Sequence, residues 1–505
     1  MSSAPQSEVV PSAPAPARGG DWFDVREVGR VLSVREFIVK VRGLPSCMNG
    51  QQVEFSRGGR GIVMGFNEKD VMVLMLGHQA NVRAGDEVHS RSEPFVTPVG
   101  DAFTGRVVTS LGEPWDGQGP IAASAFNPTF REAPGVMERI PVKEPLETGI
   151  RIVDGGFPIA KGQRQLIIGD QMTGKTTIAT DTILNQQDKG VACIYCAIGQ
   201  SQSSFQKSVA MLREHGAMAY TTVVAGIASA PLGEQYLAPY AACAIGEYFA
   251  AKGRDVFIAF DDLSKHAWAY RQLSLLFDRP PGREAYPGDI FYIHSQLLER
   301  AGKFVKELGG GTMTFFPVVA TIQGDITGYI QTNIISITDG QLYLNTGLFQ
   351  RGFKPAIDFG LSVSRIGNKA QCPVMKELSG KLRLEYLRYQ ELLQMTSLKS
   401  DLSSEAEARL RRGEVITQFL TQIKGKPSSL AEQVLFLYAI RAGVLDALSR
   451  DARERFKQEA YAWICQQSPT LLQGIPRMEK LTPAFKQSLD QALAAYVQHA
   501  GEAAA

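Results

Sequence analysis

The chain has 505 residues, and at about 150 residues per domain this length predicts roughly three domains. Apolar residues make up 44% and charged residues 21%, and the formal net charge is only +2, so we expect no broad basic surface for nucleic acid. No apolar run approaches the roughly 18 residues that a membrane-spanning helix needs, so we expect no direct membrane span.

The first twenty residues are rich in Ala, Pro and Ser and contain one basic residue, Arg18. They lack the apolar core of a signal peptide, and their composition is typical of a disordered tail. We therefore expect residues 1–20 to be disordered and the protein to stay in the compartment where it is made.

Residues 21–95 have the pattern of a small closed β-barrel. Apolar residues alternate in "FIVKV", and the β-rich runs "GIVMGF" and "VMVLML" stand on either side of the turn-like "NEKD". Gly-rich "SRGGRG" is a further turn signal. The order of the strands does not follow from these patterns.

Residues 96–372 have a different pattern, in which short apolar runs alternate with helical stretches. The runs are "QLIIG", "VACIYCAIG", "AYTTVVAG", "DVFIAFDD" and "TFFPVVAT". Continuous apolar strands are typical of a parallel sheet covered on both faces, so this region predicts an α/β domain. Cys193 and Cys196 lie three apart in one run and face opposite ways, which predicts two core thiols, not a metal or redox pair.

Residues 373–505 predict a helical bundle. The apolar residues that we expect on one helical face are Val415, Ile416, Phe419, Leu420 and Ile423. Ser429 and Glu432 have the spacing of a capping box that begins the next helix.

The run "IIGDQMTGKTTIATDTIL" has the spacing of a P-loop, a glycine-rich turn whose backbone N–H groups surround phosphate. A plain glycine-rich turn is the alternative, but this run follows an apolar strand and opens a helix, as a P-loop does. Lys175 is expected to reach the β- and γ-phosphates of ATP, or the β-phosphate of ADP, and the Thr176 hydroxyl is expected to bind Mg²⁺. The predicted nucleotide-binding residues of the loop are Gly169, Asp170, Gln171, Met172, Thr173, Gly174, Lys175 and Thr176.

Asp261 ends the buried run "DVFIAFDD" and is the acidic residue that a P-loop site needs to hold Mg²⁺ through water. Asp262 is either its partner or the N-cap of the following helix, and we favour the cap.

Hydrolysis needs one residue more, a carboxylate that polarises the attacking water. In the RecA-like class of P-loop ATPases it is a Glu at the end of the strand after the P-loop helix. Here that strand is "CIYCAIG" and the next residue is Gln200. An amide is a much poorer base than a carboxylate. The site is therefore predicted to bind Mg-ATP and to hydrolyse it poorly.

The chain resembles the α subunit of the F-type ATP synthase over nearly its whole length beyond the tail. The matching runs include "EPLETGIRIVD", "GDQMTGKT", "FDDLSKHAWAYRQLSLL", "RPPGREAYPGDIFYIHSQLLERA", "TNIISITDGQLYL" and "LSVSRIG". "PPGREAYPGD" together with "SVSRIG" is very specific to that family, whereas a P-loop alone is not.

The resemblance implies a barrel, a RecA-like P-loop domain and a C-terminal helical domain. It also implies that three such chains alternate with three β subunits around a γ stalk, attached to a peripheral stalk. This F1 sector makes ATP from ADP and phosphate with a transmembrane proton or sodium gradient, on the cytoplasmic face of the bacterial inner membrane. The α chains bind nucleotide without turning it over, and they lend an arginine, here Arg365 supported by Ser362, to the neighbouring β site.

Three departures from the family pattern point to a divergent or second-copy form. Gln171 and Met172 stand where the family usually has Arg-Gln. Gln422 matches one of two glutamines near the adenine, and Lys424 replaces the other. The Pro-Ala tail stands where the family usually has an amphipathic helix that docks the δ subunit.

Two rival functions remain open on the sequence. A homohexameric P-loop ATPase motor of a secretion or flagellar export system would need a glutamate at position 200. A ring-shaped RNA translocase would need aromatic and basic residues on the barrel strands, and "FIVKVRG" and "VMVLML" have few.

Overall fold

The computed structural model of the protein describes residues 27–67, 69–77, 82–396, 403–475, 478 and 480–502. The predicted disordered tail, residues 1–20, lies outside these ranges. None of the helices in the described ranges combines the length and the apolar character that crossing a bilayer requires.

The N-terminal region is a closed antiparallel barrel, as predicted. Its strand order around the barrel is β1-β2-β5-β4-β3-β6. Alternate apolar side chains, such as the fully buried Val39, Val53 and Val73, fill the interior. The strands are β1 (Val28–Arg35), β2 (Ile38–Arg42), β3 (Gln51–Phe55), β4 (Arg60–Phe66), β5 (Val71–Leu76) and β6 (Glu87–Pro94).

The next strands along the chain build the central domain. They are β7 (Val96–Val99), β8 (Val107–Thr109), β9 (Ala125–Pro128), β10 (Pro145–Leu146), β11 (Ile159–Ala160), β12 (Leu166–Gly169), β13 (Ala192–Ile198), β14 (Thr221–Gly226), β15 (Asp255–Asp261), β16 (Gly302–Lys303), β17 (Thr312–Ala320), β18 (Gly340–Leu344) and β19 (Val363–Ser364).

The main sheet of this domain has the order β19-β18-β12-β17-β15-β13-β14-β8. The pairs from β18 to β8 are parallel, whereas β19 runs antiparallel to β18 and β16 antiparallel to β17. Two small sheets, β7 with β9 and β10 with β11, lie outside it. The predicted mostly parallel sheet is confirmed, because long apolar runs such as the fully buried β13 have both faces covered.

Helices cover both faces of this sheet. They are α1 (Arg151–Gly156), α2 (Lys175–Leu184), α3 (Gln202–Glu214), α4 (Leu232–Ala251), α5 (Leu263–Leu276), α6 (Ile290–Leu298), α7 (Tyr329–Ile337) and α8 (Thr346–Gln350). Cys193 packs in the core on one side of the sheet and Cys196 in the core on the other. Burial raises the pKa of both thiols, and neither forms a disulfide, so the prediction of two core thiols is confirmed.

The C-terminal region is helical, as predicted. Its helices are α9 (Pro373–Ser379), α10 (Leu382–Thr396), α11 (Ser404–Leu420), α12 (Leu430–Arg441), α13 (Arg450–Gln467), α14 (Pro469–Gln473) and α15 (Pro483–Glu502). The prediction that Ile423 shares the apolar face of α11 is wrong. That helix ends at Leu420, and Ile423 lies in the following loop with 57% of its surface exposed. The loop leaves the helical path because Gln422 binds backbone groups of the central domain.

The predicted capping box of α12 forms only in part. Ser429 caps the helix by accepting a hydrogen bond from the Glu432 N–H at 3.2 Å. The Glu432 carboxylate does not return to the cap but accepts a bond of 3.0 Å from Arg151 on α1. Since the Arg151 guanidinium is only 7% exposed and lies between the rings of Phe419 and Phe436, it needs an anionic partner, and Glu432 supplies one.

Candidate nucleotide-binding site

The predicted site residues of the P-loop, Gln200 and Asp261 meet at one edge of the main sheet. They follow the carboxyl ends of β12, β13 and β15, which are parallel and lie within a span of four neighbouring strands. In the register, Gly169 pairs with Ala320, and Ala197 pairs with Asp261. Ligands of parallel α/β sheets bind beyond this edge, so the sheet brings these three elements together at the expected place.

The P-loop is curled by backbone that glycine favours. Gly174 has φ of 101°, and a Cβ atom at Gly169 would lie 2.6 Å from the Leu344 carbonyl oxygen. Met172 has φ of 63° and is 91% exposed. No side chain caps the first turn of α2, which begins at Lys175. The N–H groups of that turn and the helix dipole are therefore directed at the loop, as in an anion site.

Lys175 places its ammonium inside the P-loop. Its Nζ donates to the carbonyl oxygen of Gly169 at 2.8 Å and to that of Asp170 at 2.5 Å. The residue is 9% exposed, and burial lowers its pKa while the carboxylates of Asp262, Asp261 and Asp170 act against this. A positive charge is thus held where the loop would surround phosphate oxygens.

Asp170 ties the P-loop to two neighbouring strand ends, a role that the sequence did not reveal. Its Oδ1 accepts from the Thr321 hydroxyl at 2.6 Å and from the Gly324 N–H at 2.7 Å, and its Oδ2 accepts from the Thr346 hydroxyl at 2.7 Å. These bonds within the chain hold the P-loop in place. The partners are 151 to 176 residues away in the chain, so no local pattern could have found them.

Thr176 and Asp261 place two oxygen atoms that could act as metal ligands side by side. The Thr176 hydroxyl donates to Asp261 Oδ2 at 2.6 Å, and Asp261 is 4% exposed. Burial raises the pKa of Asp261, against the effect of bonds from Thr176 and Tyr195. Hydroxyl and carboxylate oxygens suit Mg²⁺, which takes its other ligands from phosphate and water. The described residues contain no cluster of three or more His, Cys, Asp and Glu that would hold a metal alone.

The Gln200 side chain is held in place by two hydrogen bonds that its amide nitrogen donates. Its Nε2 donates to the hydroxyl of Tyr195 at 3.0 Å and to the backbone carbonyl of Asp261 at 3.0 Å. Tyr195 in turn donates to Asp261 Oδ2 at 2.9 Å. Burial raises the pKa of Tyr195 well above its usual range, so the phenol stays protonated and remains a donor. Sequence reasoning missed Tyr195, because it read as one more apolar residue of a buried strand.

Asp262 acts as the N-cap of α5, as favoured from the sequence. Its Oδ1 accepts from the Lys265 N–H at 2.8 Å. Burial raises the pKa of Asp262 to about 6, and the neighbouring charge of Asp261 acts in the same direction.

Gln422 does not contact the P-loop. Its amide donates to the carbonyl oxygens of Gly149 and Lys426 at 2.8 Å each, and it accepts from the Arg151 N–H at 3.1 Å. Its own N–H donates to the carbonyl of Lys354, whose ammonium lies 4.6 Å from the centre of the Phe349 ring. Lys424 is exposed. The loop that contains Gln422 and Lys424 lies beside α2, because the Gly425 N–H donates to the Asp181 carboxylate on that helix.

Arg365 lies away from this chain's own P-loop, whereas Ser362 is bonded to Tyr343, next to the residue beside which the P-loop begins. The Arg365 N–H donates to the carbonyl of Asp339, just before β18, and its guanidinium donates to the carbonyl of Thr338 at 3.3 Å. The P-loop begins beside Leu344 at the other end of β18. Five residues of strand separate the two ends, or about 16 Å at ~3.3 Å per residue. The Arg365 side chain is exposed, so it is directed at solvent or a neighbouring chain.

Ser362 is fully buried and has structural bonds. Its hydroxyl accepts from the Tyr343 N–H at 2.9 Å, and its carbonyl accepts from Arg383 at 3.3 Å. These bonds fix the start of β19, and Arg365 follows the end of that strand.

Three family models match the chain in sequence. Residues 24–91 match the beta-barrel domain of the ATP synthase alpha/beta family, and residues 149–364 match its nucleotide-binding domain. Residues 371–496 match the C-terminal domain of the ATP synthase alpha/beta chain. Together the matches cover most of the chain in the expected order. The predicted boundaries at residues 95 and 372 stay predictions.

Proposed function

The chain belongs to the ATP synthase alpha/beta family, and on that premise we propose that it is the non-catalytic, nucleotide-binding alpha subunit of a rotary ATP synthase. Three copies alternate with three beta subunits around a gamma stalk, and a peripheral stalk holds the ring. The complex makes ATP from ADP and phosphate with a proton or sodium gradient, and this chain sits peripherally on the cytoplasmic face of the bacterial inner membrane.

Gln200 is the observation that carries the assignment. The end of β13 is where a RecA-like site needs a carboxylate, and this chain has an amide whose nitrogen donates to Tyr195 and Asp261. An amide has no basic site comparable to a carboxylate and cannot take the proton of an attacking water. The subunit therefore holds nucleotide without turning it over.

The remaining residues of the site bind and orient. The N–H groups of the loop and of the first turn of α2 surround the phosphates. The positive charge of Lys175 attracts the negative charge of the phosphates. Thr176 and Asp261 would hold Mg²⁺, which would neutralise phosphate charge. Asp170 keeps the loop in place through Thr321 and Thr346.

Arg365 acts in trans on the neighbouring beta subunit. Its position at the far end of β18 from this chain's own P-loop supports a role at a different nucleotide. A guanidinium fork stabilises the charge that spreads over phosphate oxygens during transfer. Ser362 supports it by fixing the start of β19, the strand that Arg365 follows.

The assay that tests the assignment uses the purified chain alone and then the chain combined with a beta subunit. The isolated chain is expected to bind Mg-ATP but to hydrolyse it far below 1 s⁻¹, roughly the lower end of typical enzyme rates. The mixed ring is expected to turn ATP over. Hydrolysis by the isolated chain at about 1 s⁻¹ or more would favour the homohexameric motor instead.

A further inference from the structure

Tyr195 occupies a place in the sheet that brings its hydroxyl to the candidate metal ligand. It is fully buried in β13 and pairs with Ala259 of β15, whereas Asp261 pairs with Ala197. Asp261 is thus two residues further along, about 7 Å at ~3.3 Å per residue. The long phenol side chain spans this step and places its hydroxyl 2.9 Å from Asp261 Oδ2.

The hydroxyl of Tyr195 links two functional positions. It donates to Asp261 Oδ2 at 2.9 Å and accepts from Gln200 Nε2 at 3.0 Å. The same Gln200 nitrogen donates to the Asp261 backbone carbonyl at 3.0 Å, which closes a ring of bonds through three residues. Both hydrogens of the Gln200 amide are used in this ring.

Packing alone does not account for the hydroxyl. A phenylalanine would fill the same core volume, and burying a hydroxyl costs free energy unless it is hydrogen-bonded. Two donors act on Asp261 Oδ2, the hydroxyls of Thr176 and Tyr195. Because Thr176 is itself a candidate metal ligand, Tyr195 is the donor whose bond need not be broken when a metal binds.

We propose that Tyr195 is a positioning residue, whose hydroxyl fixes the Asp261 carboxylate and thereby sets how strongly Mg²⁺ tightens nucleotide binding on this subunit. This rests on the proposed function and deepens it. Tyr195 touches neither nucleotide nor metal and acts through Asp261.

The test compares the dissociation constants of ATP with excess Mg²⁺ and with EDTA, measured by calorimetry on the full chain. In Tyr195→Phe, the tightening caused by Mg²⁺ is expected to fall about ten-fold, since one hydrogen bond to a charged group is lost. The constant in EDTA is expected to stay within about two-fold. Tyr220→Phe is the matched control, because its hydroxyl donates only to the backbone carbonyls of Ile183 and Leu184.

A second variant, Gln200→Leu, leaves the bond from Tyr195 to Asp261 intact. We expect it to change the Mg²⁺ effect by less than about three-fold. A ten-fold loss of the Mg²⁺ effect in Gln200→Leu would mean that the Gln200 amide, not the Tyr195 hydroxyl, is the positioning group, and this would overturn the proposal. This outcome can be read even if Tyr195→Phe does not fold. Equal losses with Mg²⁺ and EDTA in Tyr195→Phe, or no loss at all, would overturn it too.

The outcomes for the wild-type chain separate the two hypotheses. A wild-type chain that binds no ATP, or that hydrolyses it, contradicts the proposed function. A wild-type chain that binds ATP with no tightening by Mg²⁺ contradicts the role of Tyr195, as does Mg²⁺-dependent binding that Tyr195→Phe leaves unchanged.

Discussion

Lys175 carries a nearly buried positive charge inside the P-loop. The carbonyl oxygens of the loop accept hydrogen bonds from its ammonium, and nearby carboxylates attract it. A phosphate chain is a far stronger partner for that charge than backbone oxygens are. Lys175→Ala is therefore expected to weaken ATP binding by roughly 10- to 100-fold, since hydrogen bonds to charged groups contribute about 1.5–3 kcal/mol. Equilibrium binding to the isolated chain measures the effect.

Lys189→Ala is the control for that experiment. Lys189 lies in the loop after α2 and pairs with Glu147 at 2.6 Å, away from the P-loop. Its replacement is expected to leave ATP affinity unchanged. Equal affinity for wild type and Lys175→Ala would mean that the loop does not hold phosphate.

Residue types and short spacings could be predicted from the sequence, but not the bonds between distant segments. The P-loop, the acidic end of β15 and the Asp262 cap depend on neighbours within a few residues, and local chemistry determines them. The ties of Asp170 to Thr321 and Thr346, and of Tyr195 to Asp261, depend on the order of strands in the sheet. That order is a property of the whole chain.

Helix α2 contains a carboxylate that the fold holds at an energetic cost. Asp181 is 6% exposed, and burial raises its pKa to about 6, while Lys424, His215 and a bond from the Gly425 N–H act to lower it. A folded-state pKa above the usual 3.8 means that the fold favours the protonated acid. The ionised form therefore destabilises the protein above pH 6, and this cost disappears as the pH falls towards 4.

Asp181→Asn removes the charge and keeps an oxygen that can accept from Gly425. We expect the variant to be more stable than wild type at pH 8, by up to roughly 3 kcal/mol for a rise of this size. The difference is expected to vanish near pH 4. Thermal unfolding at both pH values measures it, with the exposed Asp188→Asn as control. A stabilisation of the same size at pH 4 would exclude the ionisation of Asp181 as its cause.

Helix α1 docks the central domain on the C-terminal helices through Arg151. Its guanidinium lies between two phenyl rings and donates to Glu432 on α12 and to the Phe419 carbonyl. Arg151→Ala leaves these groups unpaired, and we expect it to destabilise the protein by about 3 kcal/mol. Chemical denaturation measures the loss, and limited proteolysis should cut the C-terminal helices sooner.

Arg409→Ala provides the contrast for Arg151. Arg409 pairs with Glu405 one turn away on α11, and both side chains are mostly exposed, at 58% and 78%. Such a pair contributes about 0.3–0.5 kcal/mol. Similar losses in the two variants would show that α1 does not hold the C-terminal helices.

The existence of helices and strands followed from hydrophobic periodicity, but the ends of helices did not. The period of apolar residues continues to Ile423, although α11 stops at Leu420. Gln422 is drawn to Gly149 and Arg151 of the central domain, and that contact overrides the helical pattern. Arg151 diverts Glu432 from its capping role in the same way. Tertiary contacts, which no local window contains, determine where α11 stops and which group the Glu432 carboxylate binds.

At the scale of the whole molecule, the fold places two functional elements at opposite ends of β18. The P-loop begins beside Leu344, and Arg365 is anchored next to Asp339. Under the proposed function, such a chain would bind one nucleotide itself and present an arginine to another. This separation is what the proposed trans-acting role of Arg365 requires.

The most direct test is ATP turnover by the reconstituted ring of alpha and beta subunits with Arg365→Ala. We expect turnover to fall by roughly 10³- to 10⁵-fold, as for other arginine fingers, while nucleotide binding to beta survives. Arg365→Lys is expected to rescue little, because lysine lacks the planar fork.

Lys175→Ala is expected to reduce turnover far less. Arg351→Ala, at an exposed arginine with one backbone bond, is expected to leave turnover unchanged. Turnover of Arg365→Ala within a few-fold of wild type would contradict the trans-acting role.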